Sequence, residues 1–147
     1  MRRLLTIGSL VAVILVLAAG VAFAAIISGT NSPDDINGTT ENDQIAGSAR
    51  ADDINGRAGA DSLFGDSGAD TINGGPGSDN VQGGTGQDTL NGGDGNGDFV
   101  SGVDGDLNDF VNGGAGDNDV CIIDVDGIES DDPGPGCEAV KGTILTF

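Results

Sequence analysis

The sequence has no histidine, tryptophan or tyrosine, and it carries 5 basic residues against 24 acidic ones. Without histidine the chain has no Ser-His-Asp triad, no Cys-His pair and no HExxH zinc motif. With so few cations it offers no basic patch for phosphates, so nucleic acid is excluded as a partner. A net charge of −19 with few aromatic residues is typical of disordered chains unless that charge is neutralised.

The chain does have a regular aliphatic and glycine pattern, in ten consecutive units of about nine residues between Gly29 and Cys121. Every unit begins with Gly, Asp occupies the sixth place in nine of the ten units, and an aliphatic residue follows two places later. We expect the aliphatic residue to point inward from a very short strand while its two neighbours point outward. The sixth places, allowing for insertions in units 8 and 9, are Asp34, Asp43, Asp52, Asp61, Asp70, Asp79, Asp88, Asp98, Asp109 and, in unit 10, Asn118. The inward residues are Ile36, Ile45, Ile54, Leu63, Ile72, Val81, Leu90, Val100, Val111 and Val120.

A second periodicity pairs the units. Asn closes the odd-numbered units, at Asn37, Asn55, Asn73, Asn91 and Asn112. Two units therefore form one turn of about eighteen residues, with odd strands in one parallel sheet and even strands in the other. The Asn side chains either bond to one another along an outer face or simply serve the Asn-Gly turn.

These units match the G-G-x-G-x-D-x-U-x pattern, and the chain resembles the RTX, or hemolysin-type, calcium-binding repeat family. The resemblance implies an all-β fold, a right-handed parallel β-roll with two nonapeptides per turn that folds on binding Ca²⁺. It also implies that the ions lie between successive loops, held by Gly-loop carbonyls and by the sixth-place Asp residues, which alternate between the two sides of the roll. The implied metal-site residues are Asp52, Asp61, Gly65, Gly68, Asp70, Gly74, Gly75, Gly77, Asp79, Gly83, Gly84, Gly86, Asp88, Gly92, Gly93, Gly95, Asp98 and Asp109.

The first three units differ from this pattern, because Ser32, Glu41 and Arg50 replace the fourth-place glycine. We expect these units to bind calcium weakly and to act as the N-terminal cap of the array. Asp34 and Asp43 supply their carboxylates. The tightest sites are expected in the loops 65–70, 74–79 and 83–88.

Residues 1–24 have the features of a secretory signal peptide. Arg2 and Arg3 precede the apolar run Leu4–Val21, and Ala22-Phe23-Ala24 is a cleavage site, with Ala25 as the first mature residue. The run also approaches the length of a membrane span, so an uncleaved anchor is the alternative. After cleavage no transmembrane segment is expected, and both alternatives place the repeats outside the cytosol.

The remainder divides into the roll, residues 25–121, and a C-terminal cap, residues 122–147. Cys121 and Cys137 are expected to form a disulfide that joins the two, as suits an exported protein. An RTX-like array with an N-terminal signal differs from family members exported through an uncleaved C-terminal signal.

No residue outside the repeat pattern forms a catalytic constellation, so we do not expect an enzyme. The sequence predicts a secreted calcium-binding module with a structural, surface or adhesion role. One alternative is an ice- or carbohydrate-binding solenoid, which would be expected to carry regular rows of outward threonines, although only Thr71 and Thr89 align in this way. The other alternative is a non-catalytic accessory to a secreted enzyme. Phe99 and Phe110, at outward seventh places, either form a ligand patch or pack beside the cap.

Overall fold

The computed structural model describes residues 12–14, 24–105, 108–125, 132–133, 135–137 and 139–144, and every regular element among them is a strand. No helix in these segments is long and apolar enough to cross a membrane. The strands are β1 (Ala12–Ile14), β2 (Ile26–Ser28), β3 (Asp35–Asn37), β4 (Gln44–Ala46), β5 (Asp53–Asn55), β6 (Ser62–Ser67), β7 (Thr71–Asn73), β8 (Asn80–Thr85), β9 (Thr89–Asp94), β10 (Phe99–Ser101), β11 (Phe110–Ala115), β12 (Val120–Val125), β13 (Asp132–Pro133) and β14 (Ala139–Ile144).

The predicted parallel β-roll is confirmed. Even-numbered strands form one sheet in the order β1-β2-β4-β6-β8-β10-β12-β14, with β1 joined to β2, and odd-numbered strands form the other in the order β13-β11-β9-β7-β5-β3. Neighbouring strands are parallel apart from β1, which runs antiparallel to β2. Because two units make one turn, each residue lies beside the residue one turn later, as Ile54 lies beside Ile72.

The core is a single column of aliphatic side chains between the two sheets. Each strand contributes its middle residue and turns the flanking residues outward, which the alternating burial of the three-residue strands shows directly. One apolar side chain per unit is little core for a domain of this size, so packing alone gives the roll limited stability. The buried column is Ile27, Ile36, Ile45, Ile54, Leu63, Ile72, Val81, Leu90, Val100, Val111, Cys121 and Ile123.

The predicted alignment of unit 10 is wrong by one residue. Val100 pairs with Cys121, Phe99 pairs with Val120, and Cys121 is fully buried. Asp119 therefore occupies the sixth place in place of Asn118, and Cys121 rather than Val120 points into the core. Unit 10 contains an inserted residue, as units 8 and 9 do, and Asn118 takes it up at a positive φ of 69°.

Beyond Cys121 the chain continues to add strands to both sheets. β12 extends to Val125, β14 pairs with it in parallel, and β13 pairs with β11 on the opposite face. The expected disulfide is confirmed: Cys121 and Cys137 are bonded, with their Cα atoms 5.6 Å apart. Closing a loop of this length stabilises the fold by about 3 kcal/mol in the chain-entropy account.

The outer faces confirm part of the predicted asparagine ladder. Asn91 Nδ2 donates to Asn73 Oδ1 at 2.9 Å, and Asn112 Nδ2 donates to Asn91 Oδ1 at 3.0 Å. The two outward phenylalanines do not share a face, because Phe99 lies on β10 in one sheet and Phe110 on β11 in the other. A joint aromatic patch is therefore contradicted by the fold.

Candidate metal sites in the loops

Two ladders of buried aspartates run along the roll, one on each side. In each step the backbone N–H of one sixth-place residue donates to the Oδ1 atom of the sixth-place Asp one turn later, for example from Asp61 to Asp79 at 2.8 Å. One ladder comprises Asp34, Asp52, Asp70, Asp88 and Asp109, and the other comprises Asp43, Asp61, Asp79, Asp98 and Asp119. All of these side chains are at most 5 % exposed. Because the ladder bonds join only alternate units, the predicted division of the aspartates into two sets is confirmed.

The second carboxylate oxygen, Oδ2, is buried without a hydrogen-bond partner in five of these residues. They are Asp52, Asp61, Asp70, Asp79 and Asp98. Each Oδ2 atom lies against the first-place glycine of its own unit, so that a Cβ added at Gly56 or Gly65 would be 2.5 Å from it. A buried, unsatisfied carboxylate oxygen is costly, because the group has lost its water and gained nothing in exchange. The loops that precede these five residues are called the open loops.

Burial raises the pKa of each of these five carboxyl groups. The backbone N–H bond to Oδ1 opposes the rise, and neighbouring carboxylates add to it in all five groups. The effect is greatest in the middle of the roll, where burial raises the pKa of Asp70 to about 6 and that of Asp79 to about 7. Without a cation, burial therefore disfavours the charged form of each of these carboxyl groups.

Glycine gives the loops the shape that a cation site needs. The second-place glycines adopt positive φ angles, 103° at Gly75 and 96° at Gly84, which side chains strongly disfavour. At the fourth place, Gly77 lies directly against the carbonyl oxygen of Gly59 one turn earlier, where a Cβ would clash. Successive turns thus bring backbone carbonyl groups close together beside the buried carboxylates.

This arrangement fits a calcium ion. Calcium prefers six to eight oxygen ligands and accepts carbonyl and carboxylate groups in flexible geometry. The described residues contain no cluster of three or more acidic, cysteine or histidine side chains, so a site here has to combine a ladder carboxylate with backbone carbonyls. A cation at this position would neutralise the orphaned Oδ2 atom and its desolvated charge.

The first two loops have no such orphaned oxygen. In unit 2, the N–H of Thr39 donates to Asp43 Oδ2 at 2.5 Å, and its hydroxyl donates to the same carboxylate at 3.0 Å. In unit 1, Thr30 N and Oγ1 contact Asp34 Oδ2 at 2.6 and 2.9 Å. These are called the threonine-closed loops, residues 29–34 and 38–43.

Sequence reasoning predicted weak binding here from the missing fourth-place glycine and did not identify the threonines. A β-branched hydroxyl residue at the second place was the available signal. Sequence reasoning also missed Asp119, whose Oδ1 accepts from the N–H groups of Gly97 and Asp98.

A sequence profile of four copies of the RTX calcium-binding nonapeptide repeat matches residues 28–63, 37–72, 46–81, 64–99 and 73–107. Together these matches span more than half of the chain. No curated protein and no solved structure matches the chain significantly.

Proposed function

Because this chain belongs to the RTX calcium-binding nonapeptide repeat family, we propose that its open loops bind Ca²⁺ and that ion binding drives the roll to fold. The family's repeats are calcium-binding. The observation that supports assigning the ions to these loops is the row of buried Oδ2 atoms without hydrogen-bond partners, at Asp52, Asp61, Asp70, Asp79 and Asp98.

The proposed ligands are the sixth-place carboxylates from unit 3 onward together with carbonyl groups of the glycine loops. In the middle of the roll, Asp70, Asp79 and Asp88 follow loops with glycine at the fourth place, and the fourth-place glycines pack closely against the preceding turn. Asp119 extends this set into unit 10, because it occupies the same position in the ladder. Magnesium requires a smaller octahedron and gives up its waters reluctantly, so these carbonyl-rich loops favour calcium.

Coupling to folding follows from charge and from the small core. The chain has a net charge of −19, and the roll buries one aspartate per unit. Bringing these carboxylates together without cations opposes folding, whereas a metal that binds only the folded loops contributes its binding energy to folding. Ion binding therefore supplies the stabilisation that the single aliphatic column lacks.

We further propose that the protein is a secreted, non-catalytic module with a structural or surface role. The basic and apolar N-terminal segment, followed by Ala22-Phe23-Ala24, supports export, and the Cys121–Cys137 disulfide suits an oxidising compartment. Cleavage before Ala25 would remove β1 and leave β2–β14. The regular Asp and Gly positions are accounted for by the loops, which leaves no separate set of residues for catalysis.

Calcium titration of the secreted form, residues 25–147, tests the proposal. In chelator we expect a circular dichroism spectrum of a largely disordered chain, and in millimolar calcium a β spectrum with a cooperative melting transition. Equal magnesium is the matched control and should leave the spectrum unchanged. The same spectrum and melting temperature in chelator and in calcium would contradict the proposal.

A further inference from the structure

We propose that the residue at the second place of each unit determines whether its loop binds calcium or is closed by the chain itself. Threonine at this place closes the loop by occupying the carboxylate oxygen that an ion would otherwise neutralise. The inference rests on the proposed calcium sites, and it adds a specificity-determining position that is not itself a metal ligand.

The bonds in the threonine-closed loops satisfy the carboxylate fully. Asp43 Oδ1 accepts from the N–H of Ala25 and Asp43 Oδ2 from the N–H of Thr39, and the Thr39 hydroxyl shares its one hydrogen between the two oxygens, each 3.0 Å from Oγ1. The threonine hydroxyl also accepts from the N–H of Glu41 at 3.1 Å. One side chain thus both satisfies the carboxylate and fixes the loop. Thr30 makes the corresponding bonds to Asp34 and to the N–H of Ser32.

The backbone at the second place differs between the two kinds of loop. Thr30 and Thr39 do not adopt positive φ angles. The second residues of units 3 to 8 and of unit 10 all do: Ser48 at 84°, Arg57 at 76°, Asp66 at 69°, Gly75 at 103°, Gly84 at 96°, Gly93 at 113° and Gly114 at 100°. A change in the sign of φ rotates the adjoining peptide groups. Among units 1 to 6, the second-place N–H therefore donates to Oδ2 of the sixth-place Asp only in the two threonine-closed loops.

β-Branching explains why threonine selects the closed form. A branched side chain strongly disfavours positive φ, whereas Gly, Asn, Asp and, less readily, other unbranched residues accept it. Ser48 shows that a hydroxyl is insufficient, because at φ 84° its Oγ donates to Gly29 O and Asp52 Oδ2 is left without a partner. Val103, branched but without a hydroxyl, donates its N–H to Ser101 Oγ at 3.4 Å. Both features together close a loop.

Asp66 offers the sharpest test, because it is the second residue of an open loop with glycine at the fourth place. Asp66→Thr should close the loop of Asp70, whereas Asp66→Asn removes the same charge but tolerates positive φ. Native mass spectrometry at saturating calcium should count one bound ion fewer for Asp66→Thr than for wild type, and no loss for Asp66→Asn. Equal ion counts in the two variants, with the β spectrum retained, would overturn the inference. A wild-type protein that binds no calcium would instead refute the proposed function.

A second measurement does not require Asp66→Thr to fold. In folded, calcium-saturated protein, Thr39→Ser should allow residue 39 to adopt positive φ and to lose its bond to Asp43. Hydrogen exchange of the residue 39 amide should then accelerate on the order of tenfold. Amides in the loop 74–79 serve as the internal reference and should not change. An unchanged exchange rate at residue 39 would show that branching does not control this loop.

Discussion

In unit 2 both carboxylate oxygens of Asp43 accept hydrogen bonds from the chain, whereas Asp79, two turns along the same ladder, is bonded through Oδ1 and leaves Oδ2 without a partner. The two residues share their position, their burial and their ladder bond. They differ in what the loop in front of them provides, which is Thr39 in one case and Gly75 in the other. The fold therefore needs a buried carboxylate at every step, and the loop sequence decides what compensates for its charge.

The comparison indicates a division of roles along the roll. Threonine-closed loops at the N-terminal end are complete without a cation and give later turns a template for pairing. Open loops follow, and under the proposed function their stability depends on the bound ion. At the C-terminal end the disulfide between Cys121 and Cys137 adds a covalent bond. A solenoid has to protect its terminal turns, and here the two ends are protected by different chemistry.

The largest expected effect comes from making the same substitution at the two compared positions. Asp79→Asn keeps an oxygen for the ladder bond but removes the charge that an ion would neutralise, so calcium affinity should fall on the order of 100-fold at that site. Asp43→Asn should leave calcium affinity nearly unchanged. It should instead destabilise the calcium-bound protein by about 1 to 2 kcal/mol and lower its melting temperature, because the amide nitrogen that replaces Asp43 Oδ2 cannot accept the hydrogen bond from the N–H of Thr39.

Isothermal titration calorimetry and thermal melts of the two variants, run side by side, separate these outcomes. Equal losses of calcium affinity at Asp43 and Asp79 would show that the threonine-closed loop also binds an ion. No loss at either position would remove the ladder aspartates from the set of ligands.

A smaller effect is expected from pH, and it concerns the open loops. Burial raises the pKa of Asp70 to about 6 and that of Asp79 to about 7 in the roll, above the value of about 3.9 in an unfolded chain. A folded-state pKa above the unfolded one means that the roll binds protons more tightly than the unfolded chain does. Protonation of these carboxyl groups therefore stabilises the roll at low pH, and this contribution is lost as the pH rises through about 6 to 7. On the proposed function, protons would thus partly replace calcium.

In chelator we therefore expect more β structure at about pH 5 than at about pH 8, measured by circular dichroism. Asp79→Asn should reduce the difference, whereas Asp35→Asn, which removes an exposed carboxylate, should not. A β signal that is equal at the two pH values, or stronger at the higher one, would contradict this linkage.

The sequence predicted the roll well because each unit repeats the same physical requirements. Glycine, the buried aspartate and the inward aliphatic residue recur at fixed spacing, so the two sheets, their register and the two ladders could be inferred from the pattern. The alternation of Asn73, Asn91 and Asn112 also gave the two-unit turn correctly. Repetition makes such inference reliable, because one misread unit does not affect the rest.

What the sequence did not predict lies where the repetition is broken. In unit 10 an inserted residue shifted Asp119 and Cys121 by one place, and a period of nine gave no indication of where the chain takes up the extra residue. The role of Thr39 depended on the sign of a backbone angle, which follows from local sterics rather than from periodicity. The continuation of the sheets by β13 and β14 was hidden because residues 122–147 do not keep the nine-residue spacing of glycine and aliphatic residues, although Gly136 packs on Gly114 as a second-place glycine would.

The smallest expected effect concerns the asparagine ladder, which again separates the middle of the roll from its N-terminal turns. Asn91 both donates to Asn73 and accepts from Asn112, whereas Asn37 donates to the exposed Asp35 of its own strand. Asn91→Ala removes two partly buried bonds between turns and should destabilise the calcium-bound roll by about 1 to 2 kcal/mol. Asn37→Ala, the matched control, removes one exposed local bond and should change stability by less than about 0.5 kcal/mol. Thermal melts in saturating calcium measure both. If the two substitutions cost the same, the ladder contributes nothing beyond the Asn-Gly turn, and the alternation of asparagine reflects turn geometry alone.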